Sequence, residues 1–208
     1  MFNFRKKKEI SIDSLEKGGS SIFSDIDTCL SSGYPEDAVN LIEDALKKVS
    51  KHQDKLKLYL KLEQVYVSTD KPDMKIQTYK RLSEFILTEA PHLKFEVIPQ
   101  SLELYKQGDY TPEPEEIKPL AELACEKKDY STALKLISGF VKKHAGHADY
   151  DDNYLIAAKC FAAQKAYAKA VKIYRNILSK LEATDSRYLD VKSALLLVNQ
   201  KAKKQRQP

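Results

Sequence analysis

The sequence contains no tryptophan, and its 208 residues include only 6 glycines and 8 prolines. So little glycine and proline excludes a collagen-like chain and a low-complexity linker. Long apolar runs are missing too. The longest, Ala194 to Val198, is far shorter than the roughly 18 residues that a membrane-spanning helix needs. With 42% hydrophobic and 31% charged residues, the composition predicts a soluble, folded, helical protein that does not cross a membrane.

The N-terminus lacks the apolar segment of a secretory signal. Residues 1–9 hold four basic residues, but no continuous apolar stretch follows them, whereas a signal peptide needs about 7 to 15 apolar residues there. We therefore expect the protein to be cytoplasmic.

Cysteine is also scarce. Cys29, Cys125 and Cys160 are odd in number, lie far apart in the sequence and form no CxxC pair. Each falls among apolar residues of a helical pattern. The sequence therefore predicts reduced, buried thiols rather than a disulfide or a metal site.

Positive charge is concentrated at the two ends of the chain. The formal net charge is +5, but residues 1–8 and 199–208 contain eight bases and no acid, which leaves 27 bases and 30 acids in between. A folded basic surface is therefore not expected, and nucleic acid is an unlikely partner of the folded body. The eight terminal bases are Arg5, Lys6, Lys7, Lys8, Lys201, Lys203, Lys204 and Arg206.

The hydrophobic pattern is helical from about residue 21 onward. Apolar residues recur three and four positions apart, and no stretch alternates as a strand does. Short turn signals such as Ser32-Gly33-Tyr34-Pro35 separate the periodic stretches. The pattern predicts about ten helices, and because the turns between them are short, consecutive helices are expected to run antiparallel.

The turns recur at a fixed interval, which indicates an internal repeat. Their residues are 37 positions apart in two series: Pro35, Pro72 and Asp109, then Tyr130 and Tyr167. Aligning the last two copies places Ala133 over Ala170. A small residue lets the second helix of a hairpin approach the first closely, so we expect both alanines to be buried where helices cross.

This pattern resembles the tetratricopeptide repeat. The match is good over residues 113–182 and fair over the first hairpin, whereas in the second hairpin Glu63 and Lys75 stand where the family has small residues. The resemblance implies an all-α, right-handed array of antiparallel helical hairpins, a tetratricopeptide-like α-solenoid. In the well-matched part of the chain, the first-helix positions of the repeat are occupied by Ile117, Leu120, Ala121 and Ala124, and by Tyr154, Ala157, Ala158 and Phe161.

The same pattern divides the chain into five segments. We predict a basic flexible tail over 1–20, degenerate repeats over 21–90, and an irregular helical connection over 91–119. Regular repeats with an end helix follow over 120–203, and a short basic tail over 204–208. The connection is irregular because Pro99 interrupts an apolar stretch and the Pro112-Glu113-Pro114 cluster forces a new helix start.

A second resemblance covers less of the chain. Residues 25–66 are similar to the repeat modules in the cytoplasmic part of FimV-like proteins, which are bacterial polar hubs linked to pilus assembly. This resemblance implies a bacterial protein with a role in pilus or polar-hub assembly.

Arrays of the tetratricopeptide type bind their partners on a concave surface lined by the first helix of each hairpin. The resemblance therefore implies a non-catalytic adaptor or scaffold that binds a protein or a peptide. A chaperone tail is not the expected ligand, because the Lys/Asn/Arg set that holds a C-terminal carboxylate in co-chaperone members is missing. The residues predicted to line the groove are Phe23, Asp27, Leu60, Lys61, Gln64, Lys118, Glu122, Leu155, Lys159 and Ala163.

Two alternatives rest on the basic tails. Aromatic rings at Phe2 and Phe4 can enter a membrane interface while the adjacent bases, Arg5, Lys6, Lys7 and Lys8, meet anionic headgroups, which gives weak and reversible binding. The other reading of this segment is a solubilising flexible end. The C-terminal bases can contact RNA or DNA weakly, but no aromatic residues are interleaved with them.

The residue patterns of common enzyme and metal sites are missing from the sequence. There is no glycine-rich phosphate loop, no GxSxG elbow and no HExxH motif. His144 and His147 have a spacing used by metal ligands, but Gly146 and the acids after it predict a loop. We therefore expect no catalytic residues, no metal and no cofactor, and the sequence leaves the oligomeric state open.

Overall fold

The structure is a computed structural model that describes residues 20–205 of the chain. This part is all-α, as predicted: it contains ten α-helices and one 3₁₀ segment, Pro91–Val97, and no strand. The helices are α1 (Ser20–Ser31), α2 (Pro35–Lys48), α3 (His52–Ser68), α4 (Pro72–Thr88), α5 (Ile98–Gln107), α6 (Pro114–Glu126), α7 (Tyr130–Lys143), α8 (Tyr150–Ala163), α9 (Tyr167–Leu178) and α10 (Tyr188–Gln205).

The chain forms two compact units, one ending at Lys94 and one beginning at Phe95. The first unit contains the hairpins α1–α2 and α3–α4. The second contains α5, the hairpins α6–α7 and α8–α9, and the end helix α10. Among residues 20–205, none of the helices combines the length and the apolar character that crossing a bilayer requires.

The turns inside the four hairpins share one backbone conformation. Each has three residues, and its middle residue lies in the left-handed region, with φ of 79° at Gly33, 52° at Asp70, and 61° at both Lys128 and Lys165. The next amide donates to the carbonyl five residues back, which is the Schellman arrangement that ends a helix. These bonds are Tyr34 to Cys29, Lys71 to Tyr66, Asp129 to Ala124 and Ala166 to Phe161. The 37-residue interval in the sequence is therefore the interval between identical turns.

Lys165 provides a test of this turn conformation, because a lysine in the left-handed region is strained whereas glycine is not. Replacing Lys165 by glycine should raise the free energy of unfolding by roughly 0.5 to 1 kcal/mol. The matched control is Lys172→Gly in the exposed interior of α9, which should lower it by about 1 kcal/mol. Urea unfolding followed by circular dichroism measures both, and a loss of stability in both variants would contradict the shared turn.

The core of the first unit lies between α1, α2 and α3. Ile26, Ile42 and Leu62 are fully buried there, as the three-and-four spacing of apolar residues predicts. Each of the three helices contributes one apolar stripe to this core. Helix α3 therefore covers the apolar side of the hairpin α1–α2.

The second unit has two apolar clusters. One joins α5, α6, α7 and α8, and the other joins α8, α9 and α10. Ala133 lies in the first cluster and Ala170 in the second, and both are 0% exposed. The expectation that these two alanines are buried is confirmed.

A glutamate at Ala170 should therefore destabilise the protein by at least about 3 kcal/mol, since the larger side chain overpacks the site and its charge has no room to be solvated. Ala168→Glu is the matched control. Ala168 is exposed in the first turn of the same helix, where a carboxylate is favourable or neutral. Thermal unfolding of the two variants measures the difference, and equal midpoints would show that the repeat alignment is wrong.

The degenerate hairpin α3–α4 is held by longer side chains. The hydroxyl of Tyr79 donates to Glu63 Oε1, and Lys75 Nζ lies 5.7 Å from the centre of the Tyr79 ring. Arg81 lies 5.6 Å from the centre of the Tyr59 ring. The Tyr79–Glu63 hydrogen bond and the Arg81–Tyr59 contact thus connect the two helices, whereas the Lys75–Tyr79 contact lies within α4.

Prolines set the helix starts in the region from 91 to 119. Pro99 lies in the first turn of α5, and Pro114 is the first residue of α6, where a missing amide hydrogen costs little. The start of α6 is reinforced by Glu116, which is buried and accepts from the Glu113 amide at 2.9 Å and from the Tyr110 hydroxyl at 2.6 Å. The helix start predicted from the proline cluster is confirmed.

Candidate partner-binding faces

An ion pair connects the first helices of the two hairpins in the first unit. Lys61 Nζ on α3 lies 2.7 Å from Asp27 Oδ1 on α1. Both residues were predicted for the groove. The Asp27 side chain is 58% exposed, so the pair contributes only about 0 to 1 kcal/mol. The pair adds little stability, but it shows that α1 and α3 lie side by side at this point.

The other residues predicted for the groove in this unit are on the same two helices, close to Asp27 or Lys61 in the sequence. Phe23 is half-buried and packs against the core of the unit, Leu60 is half-buried, and Gln64 is exposed. We call these five residues, Phe23, Asp27, Leu60, Lys61 and Gln64, the α1–α3 face. It combines partly accessible apolar side chains with a fixed pair of opposite charges.

A larger ion-pair network connects the first helices of the second unit. Lys118 Nζ on α6 lies 2.6 Å from Asp152 Oδ2 on α8 and 3.6 Å from Asp149 Oδ1. Arg187, just before α10, also reaches Asp152, with Nη1 3.2 Å from Oδ1. Asp152 therefore joins three segments of the unit.

The protonation of this network follows from its contacts. The hydrogen bond to Asp152 raises the pKa of Lys118 above its usual value. Partial burial alone would raise the pKa of Asp152, but the hydrogen bonds and charges of Lys118 and Arg187 outweigh it, so that the pKa is lowered. Both shifts favour the charged forms at neutral pH.

The remaining predicted residues of the second unit lie on the same two helices. Glu122, Lys159 and Ala163 are exposed, whereas Leu155 is half-buried and packs against the cluster of α8, α9 and α10. We call Lys118, Glu122, Leu155, Lys159 and Ala163 the α6–α8 face. The prediction did not include Asp149 and Asp152, which contact Lys118, or Arg187, which contacts Asp152.

The structure brings together two of the three cysteines, which the sequence did not predict. Cys125 on α6 and Cys160 on α8 lie side by side, with Cα atoms 6.7 Å apart, so that a disulfide can join the two helices. The two lie 35 residues apart in the sequence, and only the packing of α6 against α8 brings them together. Cys29 is a free, half-buried thiol. Burial first, and then the charges of Asp37 and Asp25, raise its pKa, so that it is protonated at neutral pH.

The disulfide predicts a redox-dependent stability. Denatured, unreduced protein should show one reactive thiol, and reduced protein three. Reduction should lower the free energy of unfolding by up to about 4 kcal/mol, because the bond closes a long loop of the unfolded chain. Cys125→Ser/Cys160→Ser should remove this dependence on reductant, and Cys29→Ser should keep it. Three reactive thiols before reduction would contradict the pairing.

The tail predictions fall mostly outside the described part of the chain. Phe2, Phe4, Arg5, Lys6, Lys7 and Lys8 lie outside residues 20–205, and so does Arg206. Lys201, Lys203 and Lys204 are exposed on α10. The membrane and nucleic-acid alternatives therefore stay predictions.

The two histidines of the HxxH spacing lie in the loop between α7 and α8, as predicted. Both rings pack against Phe140, with centroids 5.3 Å from it, and His147 Nδ1 accepts from the Asp149 amide at 3.1 Å. Across residues 20–205 no group of three or more histidine, cysteine or acidic side chains is arranged to hold a metal. The contacts assign these histidines to loop packing.

Comparison with known proteins gives only remote structural neighbours. No family model matches the chain, and no curated protein matches it either. Among solved structures, the chain is similar to a putative kinesin light chain of Podosopora anserina with nearly identical TPR-like repeats, at a TM-score of 0.41 and 14% identity, covering 96% of this chain and 91% of that one. It is also similar to the TPR2AB domain of yeast Sti1 in a pHSP90 complex, at a TM-score of 0.31 and 19% identity, covering 93% and 88%. These neighbours are tetratricopeptide-repeat proteins.

Proposed function

We propose that the protein is a non-catalytic adaptor that binds a protein or peptide partner on the α1–α3 face and the α6–α8 face. The observation that supports this most is the matching ion pair in the two units. Asp27 with Lys61, and Lys118 with Asp152, both join consecutive first helices at a separation of 34 residues. Such pairs favour one arrangement of the neighbouring first helices, which lowers the free-energy cost of ordering a binding surface.

The composition of the faces defines the partner that they suit. On each face a half-buried apolar side chain, such as Leu60 or Leu155, lies among exposed polar and charged groups. A peptide would bury apolar side chains against the former and exchange hydrogen bonds with the latter, which is how mixed protein interfaces are built. The first helices, rather than the basic tails, are therefore the proposed contact site.

Site-specific photo-crosslinking in the native host tests the location. A photoreactive residue at Gln64 or Lys159, both exposed on the proposed faces, should capture the same protein at either position. Gln77 on α4 and Lys172 on α9 are the controls, since both are exposed on second helices, and they should capture little of it. Equal capture from the second helices would contradict the proposal.

A charge exchange then separates binding from stability. Lys61→Asp should weaken the captured partner's binding and shift the thermal midpoint little, since the lost pair is a surface pair. The double variant Asp27→Lys/Lys61→Asp restores an ion pair with inverted polarity. It should keep the thermal midpoint close to that of the wild type and should not recover binding. Charge reversal at Lys159 should likewise weaken binding without unfolding the protein, and intact binding in all these variants would overturn the assignment.

The tails are tested in the same assays. Partner binding that survives deletion of residues 1–9 and 201–208 belongs to the folded body. Vesicle flotation with and without residues 1–9, and RNA binding at several salt concentrations, measure the membrane and nucleic-acid alternatives.

The proposal also concerns the cellular compartment of the protein and the pathway in which it acts. A cytoplasmic location predicts that Cys125 and Cys160 are reduced in cells, whereas an oxidising compartment predicts the disulfide, and alkylation of thiols during cell lysis distinguishes them. From the resemblance of residues 25–66 to FimV-like modules, we propose that the adaptor acts in bacterial pilus or polar-hub assembly. The identity of the crosslinked partner tests this placement.

A further inference from the structure

The outer side of α10 carries leucines that face solvent. Leu189, Leu196 and Leu197 are 69%, 57% and 51% exposed. On the opposite side of the same helix, Val191 and Val198 are buried in the cluster of α8, α9 and α10. An end helix usually turns a polar side to water. A helix that is apolar on both sides is instead typical of one with a second packing partner.

We propose that α10 binds α10 of a second copy of this chain, in an antiparallel pair. The exposed leucines recur at helical spacing, and Ser193, which is also exposed, lies between them on the same side. A small residue at that place permits close approach of two helices. With Ser193 near a two-fold axis, Leu189 of one copy lies opposite Leu197 of the other.

The charges along α10 favour a second copy of the chain as the binding partner, and they favour an antiparallel orientation of the two helices. Exposed acids precede or begin α10, at Glu182 and Asp190. One exposed lysine, Lys192, lies in its first half, and three exposed lysines end it, at Lys201, Lys203 and Lys204. Antiparallel pairing places the basic end of each helix over the acidic segment of the other, whereas parallel pairing would place like charges together. A surface that is complementary to itself is the requirement of a two-fold contact.

The N-terminal segment of the chain is a poorer occupant. It carries Arg5, Lys6, Lys7 and Lys8 within residues 1–8, and these would meet the lysines of α10. A second copy of α10 covers the exposed leucines and brings opposite charges together at both ends of the helix pair. The 18 residues of α10 form a helix about 27 Å long, so the contact is of the small class that dissociates on dilution.

Sedimentation velocity of the full chain over a range of concentrations tests the proposal. We expect a monomer–dimer equilibrium in wild type. Leu196→Gln should raise the dimer dissociation constant by at least about tenfold, because the leucine is lost from both copies. Leu87→Gln is the matched control, since Leu87 is 65% exposed on α4, and it should leave the equilibrium unchanged. Circular dichroism checks that each variant is folded.

The charge arrangement has its own test. Asp190→Lys and Lys204→Glu should each weaken the dimer, because each reduces the attraction between the acidic start of one α10 and the basic end of the other. Three results would overturn the proposal: a monomer at every concentration, a dimer insensitive to Leu196→Gln, or a monomer whose leucines bind anionic vesicles instead.

Discussion

The left-handed residue in the middle of each three-residue hairpin turn is the constraint on which the rest of the structure depends. It ends one helix with a five-residue-back hydrogen bond and starts the next within two residues. Because the reversal is so short, the two helices must lie against each other, and a small residue such as Ala133 or Ala170 permits a close approach. Lysine at two of these turns costs about 1 kcal/mol each. Burial of one leucine-sized side chain in the adjoining core offsets that cost.

The two units hold their first helices together by different means. In the first unit a surface ion pair joins α1 to α3, whereas in the second both an ion pair and the Cys125–Cys160 bond join α6 to α8. When the disulfide is formed, a covalent bond at one place and a charge network at another leave little freedom between α6 and α8. The α6–α8 face is therefore the more rigid of the two, and a partner that binds it loses less free energy to ordering.

The sequence alone predicts those structural features that are determined by residues close together along the chain. Helix periodicity, the turns, the proline starts of α5 and α6, and the buried alanines all follow from local patterns. The Cys125–Cys160 pair and the Asp27–Lys61 pair depend instead on which non-consecutive helices touch. Opposite charges 34 residues apart are a recognisable signal only after the repeat is known. In a chain with 31% charged residues, many acids and bases share any given spacing by chance.

The end helix connects the candidate faces to the proposed dimer. Arg187, which precedes α10, contacts Asp152, and Asp152 also holds Lys118 of the α6–α8 face. The inner side of α10 closes the last cluster of the second unit through Val191 and Val198. Its outer leucines are not among the residues of the α6–α8 face. A pair of chains joined through α10 would present each face twice. For a partner that carries two binding segments, the second contact becomes intramolecular, and weak single contacts then suffice for firm attachment.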